Sequence, residues 1–284
     1  MRIEPLLRIR DMTVADIPFG MRLKQQAGWN QVEADWRRLL GLQPDGCFVA
    51  ELDGVPAGSV TTCRFGPVAW VAMMLVDESF RSRGIGRCLM KHALDELDSK
   101  GALTIRLDAT SLGRPLYESL DFLAEATFAR LVGVLPPADG PPELPVLPSS
   151  EVVDGVAKFD LQVTGTDRGR LLRRLIEEHP ESLQVAIEAG EIVGFLLSRP
   201  GSQARRIGPC IASEQAAPLL LADARRRYAM EKITMNIPVD NAAAMALVAS
   251  WGLDMTGLLT RMSRGLPVRE DLQKLWASAG PEKG

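Results

Sequence analysis

Apolar residues recur in two rhythms along the chain, and the order in which those rhythms alternate is repeated once. In the first half, Thr13 opens a helical pattern that runs to about Gln26. Asn30, with Glu33 three residues on, has the form of a capping box opening a second helix through Leu40. Alternation then predicts strands over residues 47–52, 56–64 and 69–76. The helical period returns from about Gly84 to Ser99, where Leu89, Met90, Ala93, Leu94 and Leu97 form an apolar stripe opposite Arg87, Lys91, Asp95 and Asp98. A strand over 102–107, a helix containing Leu116 to Phe122 and a last apolar strand complete this half.

The second half repeats that order. Residues 48–58 and 184–194 both read as alternating strands around a turn glycine, Gly54 in one and Gly190 in the other, which is a hairpin pattern. Residues 232–237 then match 102–107 as a strand and lead into a helix over 241–253. Between the halves, Pro136, Pro137, Pro141, Pro142, Pro145 and Pro148 remove backbone donors throughout residues 135–150, a composition suited to an extended linker. The expected organisation is a domain over 1–134, the linker, a related domain over 151–265, and a tail over 266–284. In that tail Leu272, Leu275 and Trp276 have helical spacing and predict a docking helix.

Composition narrows the chemistry. A net charge of −3 disfavours a polyanionic partner, because nucleic-acid binders concentrate positive charge. No apolar run approaches the ~20 residues of a membrane helix, and Arg2, Glu4, Arg8, Arg10 and Asp11 stand where a secretory signal needs an apolar block. These features predict a cytoplasmic protein that engages neither nucleic acid nor membrane. Cys47, Cys63, Cys88 and Cys210 are scattered, and His92 and His179 lie far apart, so no metal-ligand spacing and no disulfide framework is expected. Both histidines read as structural or surface residues.

The informative stretch is residues 74–90, MLVDESFRSRGIGRCLM: a buried-type strand, a short turn, then Arg81-x-x-Gly84-x-Gly86 at the start of the amphipathic helix. Glycines there allow close backbone approach, and the orphan amides at a helix start with their dipole make an anion site, reinforced by Arg81, Arg83 and Arg87. Leu89 stands where the dinucleotide fingerprint needs a third glycine, and a P-loop lysine is absent. The pattern resembles instead the pyrophosphate loop of the GNAT N-acetyltransferase superfamily. A second stretch, residues 107–110 and then 113–122 (GRPLYESLDF), looks like the strand and helix of that family which carry a tyrosine able to protonate the departing thiolate. Tyr117 occupies its position, and Asp121 replaces the glycine usual before the final Phe.

The resemblance implies an α/β (α+β) fold of tandem GNAT-like domains, each a mixed, mostly antiparallel central sheet flanked by helices. It implies acetyl-CoA as cosubstrate and transfer of an acyl group to the amine of a small molecule or peptide, by direct attack on the thioester. Residues 81–87 (Arg81, Ser82, Arg83, Gly84, Ile85, Gly86, Arg87) would hold the cofactor, with the backbone near Leu75 and Val76 holding the pantetheine or the developing oxyanion, and no metal is required. Trp29, Asn30 and Gln31 are candidates for acceptor contact, although Asn30 also suits a helix cap. Glu51, Asp77 and Asp108 are open possibilities as general base, each with a competing surface or turn role. The second half keeps the scaffold without the chemistry: Ser213 to Pro218 has no glycine, Val248 stands in the place of Tyr117, and Pro209 lacks an N–H. A non-catalytic acyl-CoA-binding or regulatory protein is the contrasting expectation, and the chain is expected to be a monomer or homodimer.

Overall fold

The computed structural model describes residues 6–141, 143, 144, 149–282 and 284. Of the linker prolines, Pro142, Pro145 and Pro148 therefore lie outside the described residues, as do Arg2 and Glu4. Helices flank mixed, mostly antiparallel sheet in two compact units, one of residues 1–107 with 264–266, the other of residues 108–263 with 267–282.

In the first unit the sheet order is β1 (Leu7–Asp11), β2 (Cys47–Leu52), β3 (Val55–Phe65), β4 (Val68–Val76) and β5 (Thr104–Ala109). Neighbours are antiparallel except β4 and β5. The β2–β3 hairpin turns on Asp53 and Gly54, at φ 52° and 80°, a two-residue turn whose twist suits the strands it joins. Helices α1 (Ile17–Gln26) and α2 (Glu33–Leu42) precede the hairpin, and α3 (Ile85–Ser99) links β4 to β5 by burying its predicted stripe. The chain returns at its far end to this unit, where Leu266 N–H donates to the Leu103 carbonyl at 3.0 Å and Arg264 pairs with Asp98 at 3.0 Å.

The second unit carries the order β11 (Asp254–Gly265), β6 (Leu123–Val134), β10 (Lys232–Pro238), β9 (Arg205–Ala212), β8 (Glu191–Arg199) and β7 (Gln184–Glu188). Its hairpin uses Ala189 and Gly190 at φ 51° and 83°, the conformation of Asp53 and Gly54. Helices α7 (Ala216–Arg227) and α8 (Ala242–Ala249) cover one face over a core that includes Leu131, Leu220, Leu221, Ile233 and Met235, while α5 (Ser150–Thr164) packs on α6 (Gly169–Glu178). Strand β6, from the first half of the sequence, lies between β10 and β11 and is antiparallel to both.

Four details depart from the sequence reading. Strand β1 was not expected: LRIRD mixes charge with apolar residues because it is an edge strand, with Arg10 paired to Asp16 and Glu51, each at 2.7 Å. Helix α2 is capped at Val32, not Asn30, because the Asp35 carboxylate accepts the Val32 N–H at 3.0 Å. The helix around Leu116 to Phe122 is the short α4 (Arg114–Glu118). In the tail Leu272, Leu275 and Trp276 form no helix; Leu275–Ala277 is a strand, β12, paired with β9, whose hydrogen bonds override the local period.

Candidate active site

Strand β4 parts from β5 after Val68, Ala69 and Trp70 have paired with Thr104, Ile105 and Arg106. Beyond that point it carries a bulge, with the β3 register shifting between Ser59 and Thr61 and Met73 at φ 46°. Ser59 Oγ holds the bulge by donating to the Met73 carbonyl at 2.9 Å. A bulge bends its strand and re-aims the groups after it, here Leu75 and Val76.

Asp77 ends the strand. Its Oδ1 accepts the Ser79 N–H at 3.1 Å, and its Oδ2 accepts Gln26 Nε2 at 3.2 Å and Arg22 Nη2 at 3.4 Å. Gln26 also accepts the Glu78 N–H at 3.3 Å through Oε1, so the end of α1 is tied to the turn after β4. No local motif announces this clasp. Bonding to Ser79 foremost, against a burial cost, holds the Asp77 carboxyl below the usual carboxylate range, which makes it a poor proton acceptor.

The turn that follows passes through Ser82 at φ 62° and Gly84 at φ 78° before α3 begins at Ile85. Gly84 is the N-cap, and its left-handed conformation is what a glycine supplies without strain. The Cys88 N–H donates to the Gly84 carbonyl at 3.1 Å, so the Ile85 and Gly86 amides belong to the first turn, which has no intrahelical acceptor. Arg81 Nε donates to the Val76 carbonyl at 3.3 Å, joining loop to strand end, and Arg83 donates to the Ser79 carbonyl at 3.3 Å and lies over the Phe80 ring. Arg81, Ser82, Arg83, Gly84 and Arg87 are exposed. First-turn amides, helix dipole and guanidinium groups are the donors that an anion at this turn would need.

The candidate acceptor residues occupy the loop after α1. Trp29 N–H donates to the Lys24 carbonyl at 2.9 Å; Trp29 and Asn30 are half-buried and Gln31 is buried.

Tyr117 belongs to the second unit. It sits on α4, buried, with its ring tilted against Phe122 at 6.1 Å between centroids. Burial pushes its phenol up to about 12, so the group is protonated throughout the neutral range. Helix α4 ends with Phe122 N–H on the Tyr117 carbonyl at 3.1 Å and Asp121 N–H on the Glu118 carbonyl at 3.2 Å, a Schellman motif with Asp121 at φ 64°. The family's usual glycine fits this left-handed position, so Asp121→Gly should raise the midpoint of thermal unfolding slightly, by up to about 1 kcal/mol of stability, and Asp121→Val should lower it.

The remaining carboxylates considered as bases are engaged elsewhere. Glu51 pairs with Arg10 at 2.7 Å, and Asp108 Oδ1 pairs with Arg261 Nε at 3.0 Å in the second unit. The histidines are structural, His92 edge-on to the Phe48 ring at 4.6 Å and His179 beside Glu181. In the second half the turn before α7 has no left-handed glycine among its described residues: Gln215 is right-handed, and Ser213 Oγ accepts the Ala216 N–H at 3.2 Å. Val248 is fully buried on α8.

Comparison with known proteins bears on both halves. Residues 14–122 match the acetyltransferase (GNAT) family, and residues 156–277 match a second acetyltransferase (GNAT) domain. An uncharacterized N-acetyltransferase of Bacillus subtilis is 26% identical, over 77% of this chain and 77% of its own. A holothin acyltransferase of a Pseudoalteromonas species is 22% identical over 90% of this chain and 87% of its own. Among solved structures, a putative acetyltransferase from Pyrococcus horikoshii superimposes with a TM-score of 0.83 at 24% identity, covering 100% of this chain and 99% of that one. The chain belongs to the GNAT acetyltransferase superfamily of acyltransferases, as a tandem member with one such domain in each half.

Proposed function

We propose that the protein is an acetyl-CoA-dependent N-acetyltransferase whose acceptor is the amine of a small molecule, and that the first half supplies its cofactor loop. The observation that carries this reading is the turn from Arg81 to Gly86, set on a left-handed Gly84 at the end of a strand that has parted from its neighbour. Its donors suit the pyrophosphate, and the backbone of Leu75 and Val76 on the bulged strand suits the pantetheine arm. The acceptor nitrogen attacks the thioester carbonyl carbon, the carbon–sulfur bond breaks, and Tyr117 gives its phenolic proton to the sulfur. The nitrogen sheds its extra proton to water, from which Tyr117 is reprotonated. Trp29, Asn30 and Gln31 contribute to the acceptor side.

The slight acidic balance favours a small, cationic amine over nucleic acid or a membrane surface, and the Pseudoalteromonas relative is named for acyl transfer to holothin. Four cysteines without a disulfide suit a cytoplasmic protein, and among the described residues no helix is long and apolar enough to cross a membrane.

A thiol-release assay with acetyl-CoA and a panel of amines tests the reading. At least one amine should release thiol, and Gly84→Val, which forces a β-branched residue into left-handed backbone, should weaken acetyl-CoA binding at least about tenfold in calorimetry. Acetyl-CoA binding without thiol release from any amine would instead support a binding protein.

A further inference from the structure

Both units contain the same gap between parallel strands, and the chain treats the two gaps differently. In the first unit β4 and β5 stop pairing at Trp70 and Arg106, and among the described residues β4 pairs with no strand other than β3 and β5. In the second unit, among the described residues, β9 and β10 pair where Arg205 and Arg206 meet Ile233 and Thr234 and no further along. Beyond that point the gap is filled by the chain itself. β12 pairs with β9, Leu275 opposite Ile211 and Ala277 opposite Cys210, and the Ala212 N–H donates to the Lys274 carbonyl at 2.9 Å. On the other side the Ser278 N–H donates to the Asn236 carbonyl of β10 at 2.9 Å. The segment thus bridges the two parted strands. Gly208 on β9 makes room for it, since a side chain there would collide with the Ser278 carbonyl.

Side chains fasten the segment at several points. Asn241 Nδ2 donates to the carbonyls of Leu272, Gln273 and Leu275 at 3.2, 3.0 and 3.1 Å. Glu282 Oε1 meets Arg199 Nη2 at 2.8 Å, and that nitrogen also donates to the Ala279 carbonyl at 2.7 Å. Glu270 accepts Arg261 Nη1 at 2.9 and 3.0 Å. Both arginines are buried, so each carboxylate neutralises a charge withdrawn from water. The Asn236 side chain and Ser278 Oγ are both fully buried at this seam.

We propose that residues 270–282 are the resident occupant of the cleft in the second GNAT domain, an internal ligand that pairs with β9 and is latched by Glu270 and Glu282. The second domain therefore takes no acyl-CoA, and one molecule binds per chain. The choice of acetyl-CoA as probe and the single site per chain rest on the function proposed above; the occupied cleft does not.

Hydrogen exchange on the whole chain, with and without saturating acetyl-CoA, tests this. Amides of 275–278 and 210–212 should exchange at least on the order of a hundredfold slower than an unstructured chain, with no change on adding acetyl-CoA. Protection should grow around 75–76 and 81–88 and not in the second half. Rapid exchange of 275–278 overturns the proposal, as does a response of that segment to acetyl-CoA or a calorimetric stoichiometry of two. If acetyl-CoA protects nothing, the proposed function fails, while slow exchange of 275–278 still upholds the occupant. In Glu270→Gln/Glu282→Gln the segment should exchange about tenfold faster with 81–88 unaltered; unchanged exchange rules out the latch.

Discussion

Replacing Tyr117 by Phe should lower kcat for thiol release by about 10²- to 10⁴-fold while leaving acetyl-CoA affinity within about twofold. The substitution removes one oxygen and keeps the ring that packs on Phe122, so the end of α4 is preserved and the change falls on proton donation. The phenol also makes a prediction about pH. Because burial lifts it to about 12, the donor remains protonated well above the pH at which an exposed tyrosine ionises. The parent enzyme should show no alkaline loss of kcat from this group below about pH 11. An unchanged kcat in the Phe variant would remove Tyr117 from the mechanism.

The largest effect on stability is expected at Arg261. Its side chain is 0% exposed and lies over the Phe128 ring at 4.2 Å, with Nε and Nη2 on Asp108 at 3.0 and 3.3 Å and Nη1 on Glu270. Arg261→Leu leaves two carboxylates in a site built around a cation, and breaking a buried ion cluster from one side costs about 3–5 kcal/mol. The remaining carboxyls would titrate above their unfolded values in the variant. Their folded form then binds more protons than the unfolded chain, so the loss is greatest at neutral pH and shrinks as pH falls. Denaturant unfolding at pH 7 and pH 5 checks both the size and this sign. A loss independent of pH would count against uncompensated carboxylates as its cause.

What could be read from the sequence was what local residues decide. The Asp53-Gly54 turn, the stripe on α3 and the glycine loop at its start each combine a short pattern with a specific backbone need, and the structure holds all three as elements. What escaped was decided between distant segments. Strand β1 carries charge at positions that a sheet edge tolerates, so its alternation is blurred. Asn30 and Val32 compete for the start of α2, and the winner is set by where Asp35 lands. Leu272, Leu275 and Trp276 suit either a helix or a strand, and pairing with β9 selects the strand. The clasp of Gln26 on Asp77 and the Arg261 cluster join residues far apart in the chain, and no spacing encodes them.

The position of β6 bears on how the chain can be made. Its last residue, Val134, is synthesised long before its partner β10 begins at Lys232 and before β11 begins at Asp254. At ribosomal rates of ~5–20 residues per second, that interval is on the order of 5–20 s for β10 alone. Throughout it β6 offers two unpaired edges, which in a sheet protein are templates for unwanted pairing. The first half released at the linker would stay in that condition, so the two halves form one folding obligation.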